Sequence, residues 1–221
     1  MSFKDPVAFI QANTEIASPS LLPELRLHLA TEVTPLWLAT EASLERDQLP
    51  PPYWAFAWPG GQAVARYVLD HPEVAHGRRV LDFGAGSGLV AIAAMRAGAA
   101  RVTAAEIDQF AAAAIGLNAA LNEVSIDIEV SDMIDAAHAP WDLILVGDMC
   151  YERPLAERLT LWLRKLAGKG CPVLLGDPGR SYVPTSGLTE VARYTVPTSL
   201  DLEDKVSREG VVWRLEALPQ A

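Results

Sequence analysis

The chain has 221 residues, half of them hydrophobic, and it carries a formal net charge of −10 at neutral pH. This length fits one large domain or two small ones, and the acidic balance argues against a nucleic-acid partner, because phosphate backbones repel negative charge. No apolar run reaches the roughly 18 residues that a membrane helix needs, so we expect no membrane partner.

The first 50 residues are predicted to form an N-terminal extension. Leucines at alternating positions within 25–29 predict a short strand, and 35–45 favours a short helix. Three prolines at 50–52 then form a rigid break. We therefore predict two units, an extension at 1–50 and a main domain at 51–221.

The N-terminal sequence MSFKDPVAFIQANTEIASPS has neither the apolar core of a secretory signal nor the arginine-rich composition of a transit peptide. Cys150 and Cys171 are the only cysteines in the sequence, and their spacing is not that of metal ligands. The four histidines are scattered along the chain. We therefore expect a cytoplasmic protein with no metal and no disulfide framework.

Helix-like and strand-like runs alternate after the proline break, which predicts a parallel sheet covered by helices on both faces. The strands are predicted at 79–83, 101–106, 126–130, 143–147 and 173–176. The helices are predicted at 61–69, 89–97, 109–122 and 155–167. Two further strands, at 190–196 and 210–218, have no clear helix between them and predict an antiparallel hairpin at the sheet edge. The expected fold is α/β, Rossmann-like, with a mostly parallel seven-stranded sheet.

A glycine-rich turn joins the first of these strands to a helix. The segment RVLDFGAGSG ends with Gly84, Gly86 and Gly88, and bare backbone at such a turn lets a ligand approach closely. Glu106 follows at the end of the next strand, where a carboxylate can accept hydrogen bonds from both hydroxyls of a ribose. Together these features predict a cofactor that contains adenosine.

The glycine spacing favours S-adenosylmethionine over a dinucleotide. Nicotinamide and flavin sites usually have G-x-G-x-x-G, whereas this chain has G-x-G-x-G preceded by Asp82. A carboxylate there is a poor neighbour for a pyrophosphate but suits the cationic amino group of the methionine part. A turn used only for packing is the alternative, and it is less favoured because each glycine costs about 0.5–1 kcal/mol in backbone entropy.

Carboxylates also follow later strands, where ligands bind in such sheets. Asp132 can accept from an adenine amino group, or it can cap a helix or close a turn. Asp148 is predicted to emerge beside the reactive end of the cofactor, or to cap the helix that begins near Arg153. Tyr151 lines the substrate entrance or is a packed aromatic residue.

Aromatic residues are dense in the segment WAFAWPGG at 54–61. Trp58 and its neighbours can wall a pocket for a sulfonium or ammonium group by cation–π attraction of about 0.5–2 kcal/mol, or they can be ordinary core. Two other tryptophans and two asparagines are interpreted as structural. Trp141 and Trp162 are expected in the core, whereas Asn118 and Asn122 are expected to face solvent or cap the helix end.

Four segments occur in this order in a known group of enzymes: PYWAFAWPGGQA, VLDFGAGSGLVAIAA, GDMCYE with its D-x-x-Y pattern, and LLGDPGR. They resemble the seven-stranded protein lysine methyltransferases, and most closely those that act on the electron-transfer flavoprotein beta subunit. The resemblance implies trimethylation of lysine ε-amines on that subunit, with S-adenosylhomocysteine as product and no metal. It implies that Trp58, the glycines and Glu106 bind the cofactor, and that Asp148 and Tyr151 border the lysine channel.

Mitochondrial members of this group carry a transit peptide, so the N-terminal sequence favours a bacterial, cytoplasmic protein. Two other classes remain open from the residues. One is a methyltransferase of another protein, such as a ribosomal protein, or of a small molecule. The other is a non-catalytic module that binds the cofactor; a nicotinamide oxidoreductase is a more distant alternative.

Overall fold

The structure is a computed structural model, and it describes residues 5–31, 51–136, 140–198 and 203–217. The helix predicted at 35–45 and the predicted domain boundary at residue 50 lie outside these ranges, so both stay predictions. Within the described ranges there are five α-helices. They are α1 Pro6–Asn13, α2 Pro59–Asp70, α3 Leu89–Arg96, α4 Gln109–Leu121 and α5 Arg153–Gly168.

Nine strands accompany these helices in the described residues. Two of them, β1 Glu15–Ala17 and β2 Leu27–Leu29, pair with each other as a small antiparallel sheet. The others are β3 Arg79–Phe83, β4 Arg101–Ala105, β5 Asp127–Glu129, β6 Leu143–Gly147, β7 Val173–Asp177, β8 Leu188–Pro197 and β9 Ser207–Leu215. The predicted strands and helices of the main domain are confirmed to within a few residues at their ends.

The main sheet has seven strands in the order β5-β4-β3-β6-β7-β9-β8. Strands β3 to β7 are parallel, while β9 is antiparallel to both β7 and β8. The predicted mostly parallel sheet with a C-terminal antiparallel hairpin is therefore confirmed. The direction of winding reverses between β3 and β6, and open α/β sheets bind ligands at the carboxyl ends of the strands at such a point.

Alternate residues of the parallel strands pack on opposite faces of the sheet. Val80 of β3 lies in a hydrophobic cluster with α2 and α3, whereas Leu81 lies in a second cluster with α5. Because both faces are covered, β6 is apolar and buried at four consecutive positions from Leu143 to Val146. Trp141 and Trp162 lie in the second cluster, as predicted.

The described part of the N-terminal extension packs against the main domain. Four leucines of this segment are buried in the cluster that includes α2 and α3, and they are Leu22, Leu25, Leu27 and Leu29. Helix α1, which the sequence patterns did not predict, packs on α4 through edge-to-face contact of Phe9 with Phe110, with the ring centroids 5.2 Å apart. None of the helices in the described ranges has the length and apolar character of a membrane span.

The expectation that Asn118 and Asn122 face solvent or cap the helix end was wrong for Asn118, whereas Asn122 does cap the end of α4. The Asn118 side chain is fully buried; its amide oxygen accepts from the His28 N–H at 2.7 Å, and its amide nitrogen donates to the Ser87 carbonyl at 2.8 Å. Asn122 ends α4, as a cap residue, but is also buried and bonds both backbone polar groups of Arg26. The two amides therefore attach the strand β2 to helix α4, because a buried strand edge needs partners.

Candidate functional site

A cavity of about 540 Å³ opens at the carboxyl ends of β3, β4 and β6, where the winding of the sheet reverses. Seven of the residues singled out from the sequence line it, and they are Trp58, Gly84, Gly86, Glu106, Asp132, Asp148 and Tyr151. A volume of this size is typical of small-molecule sites. The structure thus brings residues from five separate segments of the chain to one cavity.

The floor of the cavity is the turn between β3 and α3. Gly84 and Gly86 have φ angles of 67° and 52°, in the left-handed region that glycine adopts without strain. Glu106 follows β4 and holds this turn, because its Oε2 accepts from the Gly86 N–H at 3.0 Å. Its Oε1 accepts from the Ile107 N–H at 2.7 Å, which fixes the carboxylate at the cavity wall.

Asp82 lies beneath the glycine turn. Its side chain is only 1% exposed, and Oδ2 accepts from the Ala91 N–H at 2.9 Å, within the first turn of α3. Gly88, the N-cap residue of α3, has no side chain to perform this task, so Asp82 caps the helix from the strand. Burial raises the pKa of Asp82 to about 7. Its predicted contact with a cationic amino group stays a prediction.

Asp148 makes the corresponding contact with α2. The Gly60 and Gly61 N–H groups both donate to its Oδ2, the second at 3.1 Å. Trp58, the N-cap residue of α2, has no side-chain capping bond to these N–H groups, so the carboxylate satisfies donors that would otherwise lack partners. Helix α5 does begin at Arg153, but Asp148 caps α2 instead of α5.

Gly60 of the WPGG segment allows this contact, because α2 begins directly against the ends of two strands. A Cβ on Gly60 would collide with the Gly176 carbonyl oxygen and with Asp148, whereas the neighbouring Gly61 has room for one. A Cβ on Gly147 would lie 2.7 Å from the Gly61 Cα, and one on Gly176 would collide with the Gly60 carbonyl oxygen. Side chains at these positions would force the helix away from β6 and β7. Close backbone packing thus explains Gly60 in this segment, whereas the sequence analysis interpreted the segment mainly through its aromatic residues.

The aromatic residues separate into two groups. Trp54 is 2% exposed and packs with Ile10, Ala111 and Ala114, although it also contributes to the cavity lining. Trp58 is half-buried at the cavity, and its indole N–H donates to the Tyr53 carbonyl at 2.8 Å. The Trp58 alternative of a cavity wall therefore fits its position better than ordinary core packing does.

Tyr151 stands at the cavity mouth beside Tyr53. Their ring centroids are 5.5 Å apart, and the two side chains are 42% and 46% exposed. Burial of its remaining surface raises the pKa of Tyr151, so the hydroxyl stays neutral under ordinary conditions. This position at the cavity mouth fits the predicted role at the substrate entrance better than the alternative of a packed aromatic residue.

Asp132 lines the cavity after β5 but is engaged in local contacts. Its Oδ1 accepts from the Ile134 N–H at 2.9 Å, as a turn residue does, and its Oδ2 pairs with Arg158 at 2.6 Å. The Arg158 guanidinium lowers the pKa of Asp132. The two predicted roles of Asp132, a turn residue and an acceptor for adenine, do not exclude each other, because a turn residue can also line the cavity. The contact with adenine stays a prediction.

Sequence reasoning missed Arg180 as a residue of the site. Its Nε and one terminal nitrogen lie 3.1 and 2.9 Å from Asp148 Oδ1, and its guanidinium lies 5.6 Å from the centroid of the Trp58 ring. It also pairs with Glu203, which follows β8. The segment LLGDPGR contained the signal, because Arg180 lies in the loop that follows strand β7, three residues after its end.

Burial determines the electrostatics of the strand ends around Asp148. It raises the pKa of Asp148 to about 7 even though Arg180 favours the ionised form, and it raises the pKa of the neighbouring Cys150 thiol to about 12. Cys150 and Cys171 are both free thiols. Among the described residues, no group of three or more His, Cys, Asp and Glu side chains is arranged to hold a metal ion.

The fold and the site define a seven-stranded methyltransferase. A family model described as ribosomal protein L11 methyltransferase (PrmA) matches residues 65–147. The chain also resembles the magnesium protoporphyrin IX methyltransferase (ChlM) of Synechocystis PCC 6803, solved with bound SAM, with a TM-score of 0.54 and 15% identity over 81% of this chain and 93% of that chain. At this identity the likeness concerns the fold.

Two curated relatives identify the family. The electron transfer flavoprotein beta subunit lysine methyltransferase of Xenopus laevis is 40% identical, covering 96% of this chain and 87% of its own length. The protein of the same name from Danio rerio is 42% identical, covering 96% of this chain and 83% of its own length. The chain belongs to this family of lysine methyltransferases, as the resemblance of its sequence motifs predicted.

Proposed function

We propose that this protein transfers methyl groups from S-adenosylmethionine to lysine ε-amines of the electron-transfer flavoprotein beta subunit. Membership of the family named for that activity supports the substrate. The structural observation that carries the proposal is the single cavity that runs from the glycine turn and Glu106 to Asp148 and Tyr151. One end suits an adenosine-containing donor, and the other end opens beside an exposed aromatic pair.

The described residues fit the donor. Gly84 and Gly86 expose backbone to the cavity, and Glu106 brings a carboxylate to the same wall, where ribose hydroxyls could donate to it. Side chains at the two glycines would be strained because of their positive φ angles. When bound, the donor supplies an electrophilic methyl group, and we assign its binding to the glycine turn, Glu106, Trp58 and Asp132.

The cavity mouth is suited to hold a lysine side chain. Tyr53, Tyr151 and Trp58 provide aromatic surface against which an aliphatic stem can pack while its amine lies deeper. Free lysine has a pKa of about 10.4, so only a small fraction of its amine is neutral at neutral pH. Apolar walls favour the neutral amine, because burial disfavours the ammonium form.

Asp148 contributes its negative charge to this end of the cavity. A carboxylate has about four acceptor positions, and donors from Gly60, Gly61 and Arg180 already point at them. We therefore assign the effect of Asp148 to its field, which stabilises the positive charge that forms on nitrogen as the amine is methylated. Direct acceptance of an amine N–H would require one of these donors to give way.

The decisive experiment incubates the purified chain with the recombinant flavoprotein and S-adenosylmethionine, followed by intact-mass spectrometry of both flavoprotein subunits. We expect successive one-methyl mass increments on the beta subunit and none on the alpha subunit. Peptide mapping then locates the modified lysines, and their replacement by arginine should abolish the increments. An unmodified beta subunit, with donor binding verified in the same sample, would exclude the proposed substrate.

A second candidate substrate follows from the match of residues 65–147 to the ribosomal protein L11 methyltransferase model. The related enzyme of Porphyromonas gingivalis is 38% identical but covers 49% of this chain. The family-model match at 65–147 includes the glycine turn but not the C-terminal hairpin. Purified ribosomal protein L11, added to the same assay, tests this candidate, and we expect no mass increment on it.

A further inference from the structure

Arg180 is held at the cavity wall by its own loop. Asp177, at the end of β7, accepts with Oδ1 from the Gly179 N–H at 2.7 Å and from the Arg180 N–H at 2.6 Å. The Asp177 side chain is itself 1% exposed, so this loop is anchored in the protein interior. The direction in which Arg180 leaves the backbone is therefore fixed before its guanidinium makes any contact.

The guanidinium bridges two buried carboxylates from different parts of the chain. On one side it contacts Asp148 Oδ1 with two nitrogens, and on the other side it donates to both carboxylate oxygens of Glu203, at 2.5 and 3.2 Å. The side chains of Asp148 and Glu203 are 7% and 1% exposed. A planar fork can make such paired contacts, whereas the ammonium group of lysine cannot reproduce them.

A second arginine completes the arrangement. Arg208, near the start of β9, donates to Glu203 Oε2 at 3.1 Å and to the Glu203 carbonyl at 3.0 Å. Asp148, Arg180, Glu203 and Arg208 thus form a row of alternating charges that connects the β8–β9 hairpin to the cavity wall. Buried charges need such partners, because an unpaired one is strongly unfavourable.

We propose that Arg180 is a positioning residue of the methyltransferase site, which favours the ionised form of Asp148 and fixes it at the cavity wall, and that Glu203 of the hairpin holds Arg180 in this position. The inference rests on the proposed function for its catalytic consequence. The effect of Arg180 on the ionisation of Asp148 does not depend on that function, because it can be measured on the protein without any substrate. The hairpin is therefore part of the site, although it forms the far edge of the sheet.

The charged groups around Asp148 explain why Arg180 is needed. Asp177, at the end of β7, opposes ionisation of Asp148, whereas Arg180, in the loop after β7, favours it. The Gly60 and Gly61 N–H groups of α2 also favour the ionised form. Cys150, on the same loop as Asp148, is a neutral thiol. Burial is the largest influence and raises the pKa of Asp148 to about 7. Without Arg180, burial and Asp177 would raise this pKa further, and Asp148 would be protonated at neutral pH.

The first test compares Arg180→Met with wild type across a pH series. We expect kcat on the flavoprotein to fall about tenfold or more at neutral pH, with KM for the donor changing much less, and the ratio of variant to wild-type kcat to rise with pH. The titration of the substrate amine cancels in this ratio. Arg193→Met is the matched control, since Arg193 makes a similar paired contact with Glu190 on the exposed edge strand; its ratio should stay near one.

The second test does not depend on any substrate. Carbon-13 NMR of aspartate carboxyls, with the Asp148 resonance assigned by its loss in Asp148→Asn, follows the titration of this group directly. Arg180→Met should shift its midpoint to higher pH, and Arg180→Lys should shift it less because the positive charge remains. Glu203→Gln removes a negative charge, which by itself would lower the midpoint, so a rise in this variant would show that Arg180 leaves Asp148 when Glu203 no longer holds it, and a fall would overturn the role of Glu203. Circular dichroism verifies that each variant is folded, and the conservative variants provide the measurement if Arg180→Met does not fold.

The outcomes separate the two proposals. If wild type leaves the flavoprotein unmodified but the Asp148 midpoint shifts as expected, the substrate assignment is wrong and the electrostatic role of Arg180 is supported. If wild type methylates the flavoprotein while the Asp148 midpoint and the kcat ratio do not respond to Arg180→Met, the inference is overturned and the proposed function remains. An effect of Arg180→Met on kcat that is the same at every pH also overturns it.

Discussion

The Glu106 carboxylate and the Gly86 N–H are joined by a 3.0 Å hydrogen bond across two neighbouring parallel strands. This bond holds the glycine turn after β3 against the end of β4, so that the two parts of the predicted adenosine site occupy one wall. The turn and the carboxylate are 20 positions apart in sequence. Their meeting depends on the parallel pairing of β3 with β4, which places both strand ends at the same edge.

Replacing Glu106 with alanine should weaken donor binding. A ribose would lose charge-assisted hydrogen bonds of about 1.5–3 kcal/mol, which corresponds to a loss of roughly 10- to 100-fold in affinity. Titration calorimetry with S-adenosylhomocysteine measures the change. Glu157→Ala, on the exposed face of α5, is the matched control and should bind as wild type does. Equal affinity of Glu106→Ala and wild type would remove Glu106 from the site.

The tyrosine pair at the cavity mouth should act as a unit on the protein substrate. Because the Tyr53 and Tyr151 rings contact each other, Tyr53→Ala and Tyr151→Ala should each lower kcat/KM for the flavoprotein, and the double variant should lose less than the sum. The coupling expected for such a ring pair is about 0.5–1.5 kcal/mol. Steady-state kinetics at saturating donor gives these values.

Leu161→Ala is the control for this experiment, because Leu161 is a similarly exposed apolar residue of α5 that does not line the cavity. It should leave kcat/KM unchanged. Strictly additive losses from the two tyrosine variants would mean that the rings act independently of each other. Losses confined to donor affinity would instead place the pair at the other end of the cavity.

Asn118→Ala should destabilise the fold, although Asn118 itself does not line the cavity. It leaves the buried His28 N–H and Ser87 carbonyl without their amide partner, at a cost of about 1–3 kcal/mol in the free energy of unfolding. Urea unfolding, followed by tryptophan fluorescence, measures this cost. Gln109→Ala, at the exposed start of the same helix, should change stability little. If Asn118→Ala left the free energy of unfolding unchanged, this would support the interpretation of Asn118 as a solvent-facing residue, which the structure contradicts.

The sequence predicted the elements of the main domain well because their signals are local. The period-two and helical patterns, the glycines and the prolines act within a few residues, and β6 had the continuous apolar run of a central strand. Local patterns also placed carboxylates after the correct strands. Residues such as Glu106 and Asp148 could therefore be assigned to one edge of the sheet before their contacts were known.

The contacts that escaped prediction join residues far apart in the chain. Asp148 caps a helix that begins nearly 90 residues earlier, and Arg180 pairs with Asp148 from another strand end and with Glu203 from the hairpin. A short polar residue on a helix is usually exposed, so Asn118 had no local signal of its role as a buried link to β2. Pairwise partners of this kind require the strand order, which spacing alone did not fix.

The final prediction concerns the pH dependence of stability at Asp82. Burial raises the pKa of Asp82 to about 7 in the folded protein, whereas an aspartate in an unfolded chain has a pKa of about 3.9. Between these values the folded state holds a proton that the unfolded state has released, so the contribution of Asp82 lowers the free energy of unfolding as pH rises through this window. Above the folded pKa its contribution is constant.

Asp82→Asn removes this titration and keeps a side-chain oxygen that can accept from the Ala91 N–H. The stability of the variant relative to wild type should therefore rise across the window by on the order of 3–4 kcal/mol and stay level above it. Asp148 has a similarly raised pKa but titrates in both proteins, so the difference isolates Asp82. Urea unfolding at a series of pH values measures the two curves, with Asp127→Asn on the exposed edge strand β5 as the control. Parallel curves for Asp82→Asn and wild type would show that Asp82 is ionised in the folded protein throughout, and that its contact with the first turn of α3 outweighs its burial.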